Sequence, residues 1–213
     1  MQGVDVEFDR QRDALLAKGY PALVKMSPAQ FTARIEPLRD IAHKAVSRSQ
    51  ASTNSHAPFV VVVAAALARA EDLVPATDLL GGSAPGIVDR NHGADGLASY
   101  QPIAEVEVPA APVYLLVDVE RGEEFCGIRP ADAVPEILGR GRTPLTIHEG
   151  IALVTQFPRM LEKNRCFMLA GSRRGDHRVP AMWISGKAPK LGWCWDGNPH
   201  SWLGTASAGS RGA

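Results

Sequence analysis

An excess of charge of either sign, a long hydrophobic run and a paired set of cysteines are all missing from this sequence. Its 23 basic residues balance its 23 acidic ones, so the electrostatic footprint of a protein that tracks nucleic acid or an anionic membrane is absent. The longest apolar run, Phe59 to Ala68, is about half of the ~20 residues that a membrane-spanning helix needs. Met1 to Glu7 has neither the basic region nor the apolar stretch of a secretory signal. Three cysteines, Cys126, Cys166 and Cys194, are odd in number and widely spaced, which argues against a disulfide framework and for buried free thiols in a reducing compartment. These absences lead us to expect a cytoplasmic protein with no nucleic-acid or membrane partner.

What is present is concentrated near the C-terminus. All four tryptophans, Trp183, Trp193, Trp195 and Trp202, fall within one short stretch. Tryptophan offers the largest apolar area of any residue and an indole N–H that needs a partner, so the cluster is either a heavily packed core or a stacking surface for a ligand. Packing of the terminal strands against a helix over Thr146–Phe157 is one expectation. The other is a pocket or interface in which some indoles stay exposed. Asp196, Asn198, His200, Ser201 and Thr205 place polar groups in the same segment, and an apolar wall with a few polar groups is the usual composition of a small-molecule site.

Local patterns predict an α+β fold. Residues 1–50 read as an N-terminal helical segment and 55–213 as an α+β domain, the two packing as one compact unit. Phe8, Ala14, Leu15 and Leu16 among charged neighbours form an amphipathic helix that Gly19 closes. Ser27-Pro28-Ala29-Gln30 is a capping box and starts a second helix. Pro37 should kink that helix or begin a new segment. The polar stretch Ser47 to Asn54 is the best linker. Phe59 to Val63, apolar at every position, reads as a central strand buried on both faces, with Pro112 to Val119 a second inner strand. Helices are expected from Pro130 to Leu138 and from Thr146, where Thr146 and Glu149 make another capping box. Strands at Cys166–Ala170, Val179–Ser185 and Lys190–Trp195 then form a β-meander on a mixed or antiparallel sheet. On its last strand Leu191, Trp193 and Trp195 share one face and Cys194 takes the other.

Chemical signatures are weak elsewhere. The glycine-rich segments Gly81–Gly86 and Asn91–Gly96 neither follow a strand nor open a helix as a phosphate cradle would. His148-Glu149 lacks the second histidine of a zinc-protease helix, since Ala152 stands there. Cys166, His177, Cys194 and His200 are zinc-ligand types without paired short spacing, so no metal and no cofactor are expected. Ser172, Asp176 and His177 bring a hydroxyl, a carboxylate and an imidazole close in sequence, which suits a hydrolase or transferase, although neighbours on one turn seldom point at each other as a triad must. A Cys–His pair is a further route to the same chemistry. Arg173, Arg174 and Arg178 on that turn could bind an anion by forked hydrogen bonds.

The blocks Gly141–Leu153, Cys166–Arg173, Val179–Ser185 and Leu191–Gly204, together with Pro112–Glu124, resemble a family of uncharacterised actinobacterial proteins, a domain of unknown function. That resemblance implies an actinobacterial cytoplasmic setting and brings no catalytic or binding residues with it. From the residues themselves we expect a protein that binds a small planar or aromatic molecule through Trp183, Trp193, Trp195, Asp196, Asn198, His200, Trp202 and Arg173. The alternatives are an enzyme using Ser172, Asp176 and His177 or a Cys–His pair, and a module presenting its tryptophans to a protein partner, where Trp and Arg are favoured anchors.

Overall fold

The structure is a computed structural model that describes residues 2–46, 52–90, 92–93 and 95–213. Most of the expected linker, residues 47–51, and positions 91 and 94 of the second glycine-containing loop lie outside the described residues. Four helices come first: α1 (Gln2–Ala17), α2 (Tyr20–Leu23), α3 (Pro28–Ile35) and α4 (Leu38–Val46). Their ends follow from local chemistry. Gly19 adopts φ 75°, the left-handed conformation that a side chain resists and that closes the preceding helix. Ser27 Oγ accepts from the Gln30 amide at 3.2 Å while Gln30 Oε1 accepts from the Ser27 amide at 2.9 Å, closing the capping box in both directions. Pro37 falls between α3 and α4, separating two helices where it could have bent one.

The remaining elements are β1 (His56–Val63), α5 (Ala70–Leu73), β2 (Ile87–Val88), β3 (Gln101–Pro102), β4 (Val113–Glu120), α6 (Pro130–Gly139), β5 (Thr143–Pro144), α7 (Ile147–Gln156), β6 (Cys166–Met168), β7 (Ser172–Arg173), β8 (Arg178–Ser185), β9 (Ala188–Trp195), β10 (Leu203–Thr205) and β11 (Ser207–Gly212). One sheet runs β1-β4-β11-β5 and is antiparallel throughout. The second, β10-β6-β8-β9-β2, has the expected antiparallel meander at its centre and a parallel strand on each side. Strands β3 and β7 form a short antiparallel pair. Helices and separate runs of strands make the fold α+β.

Phe8, Leu15, Phe31 and Ile35 of the helices are buried in the same hydrophobic cluster as Phe59 to Val63 of β1 and Leu115 and Leu116 of β4. The expectation that Phe59–Val63 is a central strand needs correcting. It is buried on both faces, but among the described residues β1 is an edge strand with β4 its one sheet neighbour. Its free edge meets the side chain of Gln11, which donates to the Phe59 carbonyl and accepts from the Val61 amide, each at 2.9 Å. An apolar run at every position reports burial on both faces, and says nothing of how many strands flank it.

Helix α7 packs on β1, and its Gly150 leaves room for Leu169, whose side chain would lie 2.2 Å from a Cβ at that position. Trp183 instead packs over Gly192 of the neighbouring strand, with the ring 2.2 Å from where a Cβ would stand. The Thr146–Phe157 helix is thus received by β1 and Leu169, while Trp183 takes its packing from within the meander.

Candidate functional site

The four tryptophans divide into two pairs. Trp193 and Trp195 lie edge to face with centroids 4.9 Å apart, as their shared strand parity requires. Trp195 is 45% exposed. The Arg178 guanidinium sits 4.6 Å from the Trp193 ring and 6.0 Å from Trp195, within cation–π range. Leu191, on the same parity, is fully buried. Cys194 is buried, and burial pushes its thiol pKa up despite the nearby Arg90 charge. That makes it a poor thiolate.

Trp183 and Trp202 border an open groove of about 620 Å³ at the β8–β9 hairpin end. Cys166 lies in its wall; burial raises its thiol pKa too. Trp202 is brought there by the β10–β6 pairing, its carbonyl accepting from the Cys166 amide at 3.0 Å. The charged residues lining the groove are Lys163 and Lys187, and no acidic side chain lines it. Neither ammonium has a carboxylate partner among the described residues. Arg90 adds a third cation nearby, 5.5 Å from the Trp183 ring and 5.0 Å from Trp193.

Sequence reasoning missed Lys163, Lys187 and Arg90. For Lys187 a signal existed: Gly186 and Lys187 are the two residues between Ser185 and Ala188, which pair across the hairpin, and both have positive φ, 59° and 60°. That is the two-residue turn that puts its side chains at a hairpin tip, here beside Trp183. Lys163 and Arg90 come from loops distant in sequence and carry no comparable mark.

Of the other expected ligand-binding residues, His200 packs edge to face on Trp202 at 5.6 Å, and burial, aided by the Arg90 charge, lowers its pKa. Asp196 is turned away to His177, with Oδ2 3.1 Å from Nδ1. The Asn198 amide donates to the Trp195 carbonyl at 3.1 Å, closing an exposed turn. Arg173 is spent on backbone, donating to the Ala170 carbonyl at 2.7 Å and the Ser172 carbonyl at 3.2 Å. The expected set therefore does not converge on one spot. Trp183 and Trp202, with His200 behind, form one group; Trp193 and Trp195 with Arg178 form another.

Ser172, Asp176 and His177 do not assemble either. Ser172 is buried and its Oγ accepts from the Ile147 amide at 3.1 Å, satisfying a free donor at the start of α7. Asp176 pairs with Arg174 at 3.3 Å and Arg178 at 3.7 Å. His177 is 82% exposed and faces Asp196. Among the described residues no three His, Cys, Asp or Glu side chains are grouped to hold a metal ion, and no helix is long and apolar enough to cross a membrane.

At the start of α7 a buried carboxylate receives four hydrogen bonds. Glu149 is fully buried, and its Oε2 accepts from the Thr146 amide at 2.7 Å, the carboxylate half of the expected capping box. Arg211 of β11 grips the same carboxylate in a fork, Nε to Oε1 at 2.6 Å and Nη2 to Oε2 at 2.8 Å. Tyr114 donates its hydroxyl to Oε1 at 2.9 Å. Burial, then the Glu149 charge and hydrogen bond, push the Tyr114 pKa far up.

The chain belongs to the family of unknown function DUF5701, which it matches over residues 14–213. No curated protein matches it. No solved structure does either.

Proposed function

We propose that the protein binds a small planar molecule, and that the Trp183–Trp202 groove takes one bearing a negative charge. The observation that carries this reading is the pairing of two indoles with two ammonium groups that lack carboxylate partners, in a groove with no acidic wall. An indole supplies a flat apolar face, and a lysine supplies a point charge for a carboxylate, sulfonate or phosphate. At about 620 Å³ the groove falls within the range of small-molecule sites. Trp183 is fixed by packing on Gly192 and is already oriented before a ligand arrives.

The test uses 2-naphthoate with its neutral and cationic counterparts, 2-naphthalenemethanol and 2-naphthylmethylammonium. Naphthoate should quench tryptophan emission saturably, bind at least about tenfold more tightly than the alcohol, and weaken as salt screens the lysines. The double change Lys163→Glu and Lys187→Glu should abolish the charge preference, and Trp202→Leu should weaken all three ligands. Equal binding of the neutral and anionic probes, or naphthoate binding that survives the double change, would overturn the reading.

A protein contact is a second reading, favoured by the exposed Trp195 edge-to-face pair with Arg178 above it, residue types that anchor interfaces. It expects Trp195→Ser to leave naphthoate binding and stability unchanged while lowering any self-association seen by light scattering. An oligomeric state unmoved by that change would leave the pair as surface.

A further inference from the structure

A smaller and more enclosed cavity, with Ser172 in its wall, lies between α5, the turn at 96–99, the β3–β7 pair and the start of α7. Its volume is about 220 Å³, between the 150 Å³ or so that admits benzene and the lower end of drug-sized sites, about 300 Å³. Ala65, Leu97, Ala98, Val108 and Ile147 make its apolar wall.

Several polar side chains also line it, and for His148, Ser172 and Tyr114 the hydrogen bonds fix what each can offer a ligand. His148 Nε2 lies 3.0 Å from the Ala68 carbonyl; a carbonyl only accepts, so Nε2 carries the proton and Nδ1 is left as an acceptor. Burial lowers the His148 pKa, which keeps the ring neutral. The Ser172 Oγ accepts from the Ile147 amide, which leaves its own proton to donate and one lone pair to accept with. The third, Tyr114, commits its hydroxyl proton to Glu149.

Charge around the cavity cancels. Arg69, 72% exposed, and Glu71 stand 3.7 Å apart at its edge, and Glu71 is held in place by the Leu97 amide at 2.8 Å. Behind Tyr114, Glu149 is matched by Arg211. An ion entering would lose its hydration and meet no unpaired countercharge.

We infer that this cavity is a second binding site, for an uncharged molecule about one ring in size that carries a hydroxyl or primary amide. Such a group can donate to His148 and accept from Ser172, while the ring fills the apolar wall. The site is separate from the tryptophan groove, and either could fail without the other.

Phenol and benzamide are the probes, with benzoate and benzylammonium as charged controls. On titration, phenol and benzamide should shift the His148 ring resonances saturably, in the millimolar range or tighter, and the charged controls should bind at least about tenfold more weakly. Ala98→Phe should fill the cavity and abolish that binding while leaving the response to 2-naphthoate in place. Should Ala98→Phe fail to fold, Val108→Phe fills the same space from another segment. Absence of a saturable shift with either neutral probe, equal binding of benzoate, or phenol binding that survives a folded filling variant would overturn the inference.

Discussion

The side chain of Gln11 pairs with the Val61 amide as a neighbouring strand would. Its Oε1 accepts from Val61 N–H and its Nε2 donates to the Phe59 carbonyl, both at 2.9 Å. One amide from α1 therefore closes the edge of β1 where the sheet stops, and the two backbone groups it serves are buried beneath the helices. An edge strand capped in this way also offers less to a passing chain.

Gln11→Leu keeps the bulk and removes both partners. Each buried polar group left unpaired costs about 1–3 kcal/mol, so with two such groups the variant should lose roughly 2–6 kcal/mol in urea unfolding, with an unchanged denaturant slope. A loss below about 0.5 kcal/mol would mean that water or another group serves these atoms.

The Glu149–Arg211 pair allows a sharper experiment. Both side chains are nearly or fully inaccessible, at 0% and 6%, and removing one member of a buried pair leaves the other charge without compensation, at about 3–5 kcal/mol. Glu149→Leu and Arg211→Met should each cost that much, and the double variant much less than their sum. Additive losses would show that the two charges do not depend on each other.

Where short-range chemistry decides, the sequence was readable. Ser27 with Gln30, Thr146 with Glu149, Pro37 and Gly19 set helix ends within a few residues, and the structure places helices accordingly. The meander was legible from strand runs and turns. Illegible were the features that need distant segments to meet: the edge position of β1, the parallel pairing of β10 with β6 and β2 with β9, and the meeting of Lys163 with Lys187 beside two indoles. The same limit applies to the site. Strand parity foretold that Trp193 and Trp195 share a face, but only the long-range pairing that brings Trp202 beside Cys166 separates the groove from that face.

Alkaline pH should expose a different dependence. Tyr20 is buried, with its hydroxyl 3.1 Å from Thr155 Oγ1, and burial pushes its pKa up to about 12, the Thr155 hydrogen bond offsetting part of the rise. The unfolded value is about 10. Between these values the unfolded chain has lost a proton that the folded chain retains, so stability is full below about pH 10 and falls as pH rises toward 12, by about 1.4 kcal/mol per pH unit for this one group. Tyr20→Phe should flatten the slope by that amount, at a cost of about 1 kcal/mol at neutral pH for the lost hydrogen bond. A slope unaltered by the change would place the alkaline loss elsewhere.

Gly192 is the position on which the tryptophan groove turns. A Cβ there would stand 2.2 Å from the Trp183 ring, far inside contact distance, and the strand pairing of Ala181 with Gly192 and Trp183 with Lys190 leaves the backbone little room to yield. The indole must move. Gly192→Ala should therefore cost about 1–3 kcal/mol through overpacking and raise the accessibility of tryptophan emission to acrylamide. Because Trp183 forms one wall of the groove, the same change should weaken 2-naphthoate binding without touching either lysine. Retained stability together with unchanged quenching would show that the indole is not held on Gly192, and would remove the reason for treating that wall as already oriented.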